Sequence, residues 1–263
     1  MCSSDLILHV IRIDHRIEDV PEIFFAIVFV VLFLWELAQP NRRYGFNLAW
    51  HARLAFLLLA SIALTALLNV GLSRVFGAYI LLPQSGAFLS NLSPVVGGLI
   101  IYLIYTFINY WWHRARHANP WLWRGFHQIH HSTHQLSTLT AFYAHPLDYF
   151  STFFIINAMC LWVFGLDFAT TSWATVITGL FEVWEHTNIR TPRWLGYFVV
   201  RPEMHRVHHE LLHHRKNYGI PIWDALFGTY ENSLRDVECG FEDGLEERLG
   251  DMLCCKDVHQ PVA

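Results

Sequence analysis

At 263 residues the chain is long enough for one domain, or two at most. Its composition is lopsided, with 54% hydrophobic, 16% aromatic and only 15% charged residues. The apolar residues gather in runs, which excludes an ordinary water-soluble core and predicts membrane spans. The net charge of -4 argues against a nucleic-acid partner.

The opening segment carries acids at Asp5, Asp14, Glu18 and Asp19 and lacks a basic stretch leading to a cleavage site, so it does not read as a cleaved signal peptide. Apolar runs of membrane length follow at Ile23 to Ala38, Leu54 to Leu72 and Val95 to Trp112, while the stretch from Phe76 to Leu82 is expected at the interface. A second apolar block, Phe150 to Gly165 and Ala169 to Trp184, is split by Gly165-Leu166-Asp167 and reads as a hairpin. If the histidine-rich segments face the cytoplasm, 15 of the 18 basic residues lie inside and only Arg12, Arg16 and Arg74 lie outside. The contrast between Arg42, Arg43 and Arg53 in one loop and Arg74 in the next agrees with the positive-inside rule. The fold class expected is all-α, an integral membrane bundle of four to five spans under a cytosolic histidine-rich helical cap.

Thirteen of the 17 histidines fall between 113 and 214. His113 and His117, then His127, His130 and His131, then His205, His208 and His209 recur at i, i+3 and i+4 spacings that aim imidazoles from one helical face. Neutral imidazole is the commonest protein metal ligand, and one tetrahedral zinc needs only four donors. Two metal ions are expected. The cysteines, Cys2, Cys160, Cys239, Cys254 and Cys255, show no C-x-x-C spacing, so neither disulfides nor thiolate zinc sites are expected.

HRARH at 113 to 117, HQIHH at 127 to 131 and HRVHH at 205 to 209, followed by NYG at 217 to 219 and WDALFGTY at 223 to 230, resemble the fatty acid hydroxylase and sterol desaturase superfamily. The resemblance covers residues 95 to 232, leaving 1 to 94 as an N-terminal membrane region and 233 to 263 as a polar tail. It implies a membrane-bound di-iron oxygenase that takes two iron ions and O2 and hydroxylates, or secondarily desaturates, a lipid C–H bond. With no nucleotide fingerprint or fused redox domain in the chain, electrons are expected from a separate ferredoxin or cytochrome b5-type donor with its reductase. By matching motifs the metal ligands are His113, His117, His127, His130, His131, His205, His208 and His209. His186, in FEVWEHTN, and His145, in FYAHPLD, match further histidines of family members and complete the candidate set.

Blander readings stand beside these. His145 before a proline is equally a loop residue, and Glu182, one turn before His186, is a ligand, an orienting partner, or a glutamate paired near Arg190. His134, His213 and His214 read as hydrogen-bonding or solvated, and His9, His15, His51 and His259 as outside the site. The tryptophans around the clusters read as an interfacial belt. His209-Glu210-Leu211-Leu212-His213 is formally H-E-x-x-H, which raises an intramembrane zinc metalloprotease as the alternative. That reading leaves the 113 to 131 clusters without a role. A haem protein would leave most of the histidines unused, and a transporter would place its ligands at mid-membrane depth instead of at span ends.

Overall fold

The structure is a computed structural model, described for residues 20–76, 79–211 and 213–259. Cys2, His9, Arg12, His15, Arg16, the acids from Asp5 to Asp19, Leu212 and the last four residues lie outside the described residues, as does the side chain of Arg74. Among the described residues there is no strand, only an isolated bridge between Glu210 and Cys239. The principal helices are α1 (Pro21–Ala38), α2 (Leu48–Phe76), α3 (Pro83–Ser90), α4 (Pro94–Ala118), α5 (Gln128–His131), α6 (Pro146–Ala158), α7 (Phe168–His186), α8 (Pro202–His208), α9 (Pro221–Leu226) and α10 (Leu249–Leu253).

Proline sets the punctuation. Pro21, Pro83, Pro94, Pro146, Pro202 and Pro221 each open a helix, where the missing N–H costs nothing and the fixed φ suits the first turn. The expected break at 165–167 is present. Gly165 takes a left-handed φ of 64°, closing the π-helical turn Met159–Phe164 that extends α6, and the Asp167 side chain caps α7 by accepting from Thr170 N at 2.9 Å.

Among the described residues four helices are long and apolar enough to cross a membrane: Pro21–Ala38, Leu48–Asn69, Pro94–Ala118 and Pro146–Phe164. Their outer faces keep Val31, Leu34, Leu59, Leu67 and Leu103 exposed, the surface of a protein solvated by lipid. Within the segment expected at the interface, Leu81 N and Leu82 N donate to the carbonyls of Trp162 and Val163 in the π-helical turn.

At the bundle's centre α4 crosses α7 closely. A Cβ at Gly98 would stand 2.7 Å from Ala174 N, so only glycine permits this approach. The spans enclose a core of Ile101, Tyr105, Ile156, Met159 and Ala174. A second core joins α2 to the capping region through Trp50, Leu57, Ile129 and Tyr143, and the C-terminal segment contributes Phe241, Met252 and Val258 to it. The described residues from Cys239 to His259 are therefore pinned over the histidine segments; Gly240 N donates to His209 O, and Gln128 exchanges hydrogen bonds with Lys256 O and Val258 N. Cys160, Cys239, Cys254 and Cys255 are free thiols.

Candidate metal centre

Each histidine reaches the site from a separate piece of the fold. α4 runs on past its apolar stretch to Ala118, so His113 and His117 stand on one face at its inner end. His127, His130 and His131 follow on a π-helical turn and α5; His186 ends α7; His205, His208 and His209 lie on and just after α8. The structure sorts nine of these into two groups. His113, His117, His127, His131 and His208 form one, and His130, His186, His205 and His209 the other, the donor atoms of each lying within 4.8 Å of one another.

The sorting follows from helix geometry. At about 100° per residue, positions i and i+4 differ by about 40° in direction while i+3 points about 60° the other way. In HQIHH the outer pair His127 and His131 serves the first group and His130 the second; in HRVHH the outer pair His205 and His209 serves the second and His208 the first. The two H-x-x-H-H segments thus exchange one imidazole each. His131 and His209 stack where the groups meet, with ring centroids 4.1 Å apart.

Hydrogen bonding fixes the tautomers. His113 Nδ1 donates to Tyr218 O at 2.8 Å, His208 Nδ1 to Lys216 O at 2.7 Å, His130 Nδ1 to Tyr143 O at 3.2 Å and His186 Nδ1 to Glu182 O at 2.6 Å. His127 Nδ1 donates to Asp148 Oδ2 at 2.8 Å, and His205 Nδ1 lies 3.5 Å from Glu185 Oε1. Carbonyls and ionised carboxylates only accept, so the hydrogen-bonded Nδ1 atoms of His113, His127, His130, His186 and His208 carry the proton and each of these neutral rings is left with a lone pair on Nε2. Those Nε2 atoms face each other: His113 to His127 at 2.9 Å, His130 to His186 at 3.1 Å, His186 to His205 at 3.0 Å.

Opposed lone pairs at that distance repel unless a cation lies between them. Protonation is not the remedy, because burial holds His127, His130, His205 and His209 well below the usual histidine range and pushes His208 down to about 3. A metal ion is. Two nitrogens each about 2.1 Å from one ion and at right angles stand about 3.0 Å apart, against about 3.4 Å in a tetrahedron. The donor set fits ions with more than four ligands, and the otherwise unpartnered Nε2 atoms of His117 and His208 are buried beside the first group.

Carboxylates surround this nitrogen-rich centre. Asp148, at the start of α6, is buried and pairs with the Arg116 guanidinium between His113 and His117 while holding His127. Glu185 Oε1 lies 3.5 Å from His205 Nδ1, and Glu182, Glu185 and His186 form a third set of neighbouring donors. Together they would offset the charge that metal ions bring to neutral imidazoles. The WDALFGTY motif acts one step further out. Asp224 accepts from Tyr218 N, Gly219 N and Thr229 Oγ1 at 2.9, 3.0 and 2.6 Å, which fixes the loop whose Tyr218 carbonyl orients His113.

The fatty acid hydroxylase family model matches residues 98–229, half of the chain and all nine grouped histidines. The chain belongs to the fatty acid hydroxylase family. It is 30% identical over 155 residues to a very-long-chain aldehyde decarbonylase of rice (Oryza sativa subsp. indica), covering 55% of this chain and 58% of that one. It is 34% identical over 149 residues to an ornithine lipid hydroxylase of Rhizobium tropici, covering 54% and 43%, and 30% identical over 136 residues to human alkylglycerol monooxygenase, covering 50% and 30%. The chain thus spans less than two thirds of the length of these relatives. No solved structure matches it.

Several sequence expectations find a different place. His145 joins neither group; it caps α6, with Nδ1 accepting from Leu147 N at 3.1 Å. Arg190 is not Glu182's partner, since its Nε donates to Asn41 Oδ1 at 2.7 Å. The H-E-x-x-H segment is no zinc-protease helix. α8 ends at His208, Glu210 is bound by Arg235 through two oxygens, and His213 points outward to solvent, so the three residues share no face. His214 lies closer than expected, its ring 4.5 Å from that of His131. Asp148, Arg116 and Glu185 were not singled out from sequence, although Asp148 stands three residues after His145 in the same motif and Arg116 inside HRARH.

A cavity of about 360 Å³ opens beneath the histidines. His113, His127, His130 and His205 wall its inner end with Tyr105 and Glu182, and it follows α7 down to Thr175 between Phe25, Phe153, Ile156 and Phe181. From Glu185, which also lines it, to Thr175 is ten residues of helix, a run of about 15 Å.

Proposed function

We propose that the protein is an integral membrane di-iron oxygenase that hydroxylates a C–H bond of a lipid, drawing electrons from a separate carrier. One observation carries the reading: two groups of neutral imidazoles with converging lone pairs form the end wall of an apolar cavity deep enough for a lipid chain. His113, His117, His127, His131 and His208 would hold one iron, and His130, His186, His205 and His209 the other. Iron so held supplies the oxidising power for cleaving an unactivated C–H bond with O2.

The chain's own residues do the rest. Phe25, Phe153, Ile156 and Phe181 line the channel and keep bulk water from the reacting carbon. Asp148 holds His127 in the Nδ1–H tautomer that would direct Nε2 to metal, and Glu185 stands 3.5 Å from His205 Nδ1. The names of the Rhizobium and human relatives, a hydroxylase and a monooxygenase, favour oxygen insertion over desaturation. The basic loop residues Arg42, Arg43 and Arg53 support a cytoplasmic histidine cap.

The test is metal analysis of detergent-purified protein grown on iron-57, with Mössbauer spectroscopy, followed by lipid profiling of cells with and without the chain. Two irons per chain and an oxygen-dependent hydroxylated lipid are expected. A single zinc after iron-replete expression refutes the reading.

A further inference from the structure

The wall of the cavity carries polar atoms of two kinds. The hydroxyls of Thr106, Thr175 and Thr178 are engaged by their own helices, donating to the carbonyls of Leu103, Thr171 and Ala174 at 2.7, 3.0 and 2.9 Å. Such threonines present little more than methyl groups to a ligand. Tyr105 and Asn109 differ. The Tyr105 hydroxyl and Asn109 Oδ1 are buried, belong to residues lining the cavity, and form no hydrogen bond of normal length and angle; the group nearest the Tyr105 hydroxyl is that of Thr152, also in the wall. Arg116 Nε is a third such atom among the described cavity residues, but its guanidinium is already engaged by Asp148.

Helix geometry brings the two atoms to one place. Tyr105, Asn109 and His113 stand at i, i+4 and i+8 on α4 and so form one stripe. Side chains on a helix lean towards its N-terminus, which lays the Asn109 amide over the turn that carries Tyr105. From Asn109 to His113 the helix rises about 6 Å. Both residues lie inside the span Pro94–Ala118, where lipid surrounds the protein and a polar group finds few partners. Water can meet the two atoms when no lipid is bound. An alkyl chain that displaces this water and offers nothing in return leaves a buried donor and a buried acceptor unpaired, which opposes its binding. A group that donates and accepts pairs both.

We propose that Tyr105 and Asn109 form a polar subsite for the substrate, the tyrosine hydroxyl donating to, and Asn109 Oδ1 accepting from, a hydroxyl or secondary amide of the lipid. The substrate is then a lipid that carries such a group within a few bonds of the carbon presented to the histidines, with its apolar part along α7. The inference rests on the oxygenase reading and narrows the substrate class of that same cavity: a plain hydrocarbon chain is discriminated against, and a chain whose polar group only accepts satisfies Tyr105 and leaves Asn109 unpaired. Specificity of this kind comes from the penalty on the wrong ligand more than from attraction to the right one.

The full chain as purified in detergent, kept free of oxygen so that nothing turns over, is titrated with tritiated 1-dodecanol, 1-methoxydodecane and dodecane, each corrected for its partition into protein-free micelles. The alcohol should bind at least tenfold more tightly than the alkane, with the ether between them. Tyr105→Phe and Asn109→Leu should each weaken the alcohol at least fivefold and leave the alkane unchanged. Metal content should be the same in both, and the thermal midpoint of the ligand-free protein should be no lower than in the wild type, because each change removes an unpaired buried atom. Equal affinity for alcohol and alkane, or an alcohol preference that survives in both variants, overturns the proposal, as does a lowered midpoint with the preference intact, the mark of a purely structural pair. An alcohol preference that both variants lose, in a chain that oxidises no lipid in air with its reductant supplied, leaves the subsite standing and removes only the oxygenase reading.

Discussion

Asp148 offers the sharpest test of how the first metal group is held. Its carboxylate serves two buried partners, the Arg116 guanidinium and His127 Nδ1, and both it and Arg116 are about 95% shielded from solvent. Asp148→Ala strands the arginine charge, which costs about 3–5 kcal/mol for a buried pair, a large part of the roughly 5–15 kcal/mol that holds a typical protein folded. At about 2–4 °C per kcal/mol the apo-protein should unfold some 6–20 °C lower. The same change removes the acceptor that fixes the His127 tautomer, a loss worth about 10–100-fold in metal affinity. Asp148→Asn separates the effects, because its amide oxygen still accepts from His127 while the neutral group no longer balances Arg116. It should show most of the stability loss and little of the affinity loss. Adding Arg116→Met to Asp148→Asn removes both charges and should recover most of the midpoint. Thermal unfolding of the metal-free chain and zinc titration against a chromophoric chelator, which resolves two binding events, read both quantities. Equal weakening of both events, or an Asp148→Ala protein with its first site intact, would refute the assignment of Asp148 to His127.

Three further substitutions probe other parts of the structure. His145→Ala should retain two metals per chain by elemental analysis, since His145 belongs to neither group, and should lower stability by about 0.5–2 kcal/mol through loss of the α6 cap. Glu210→Gln should leave metal content and lipid oxidation unchanged and cost about 1 kcal/mol or less, because its partner Arg235 is half-exposed; abolished activity in that variant with metals intact would revive the hydrolytic reading. Gly98→Val should prevent α4 from seating on α7, where Ala174 N and Trp173 leave no room for a Cβ, and cut the yield of folded, monodisperse protein severely; normal yield and midpoint would show that the helix contact is looser than described.

The membrane character, the hairpin break and the histidine segments were legible because each has a local cause. Apolar runs declare spans by length, Gly165 and Asp167 are a helix stop and a helix start, and i, i+4 histidines share a face whatever lies around them. His145 misled for the same local reason: a histidine before Pro146 matches a family pattern, yet its neighbourhood makes it a cap. The partners of the imidazoles were not legible. Asp148, Tyr218, Lys216 and Tyr143 come from four different segments, and which of their oxygens meets which Nδ1 depends on how those segments pack. The C-terminal segment after Ser233 reads as polar because its acids dominate, but Phe241, Met252 and Val258 are spaced to reach one core that only the folded cap creates.

The exchange of imidazoles between the two H-x-x-H-H segments has a consequence for assembly. Neither group can be completed by one helix or by one segment of chain: the first needs α4, the 127 to 131 turn and His208, and the second needs His130, α7 and α8. An ion in either group would therefore join three pieces of the fold, and each H-x-x-H-H segment contributes to both groups. A metal held by the first group would keep His208 at α4 and so hold His205 and His209 near His130 and His186, lowering the ordering cost of the second site. The close spacing of i, i+3 and i+4 donors is thus more than a way of crowding ligands onto a helix. It divides them between two neighbouring groups, so that filling of one site would favour filling of the other.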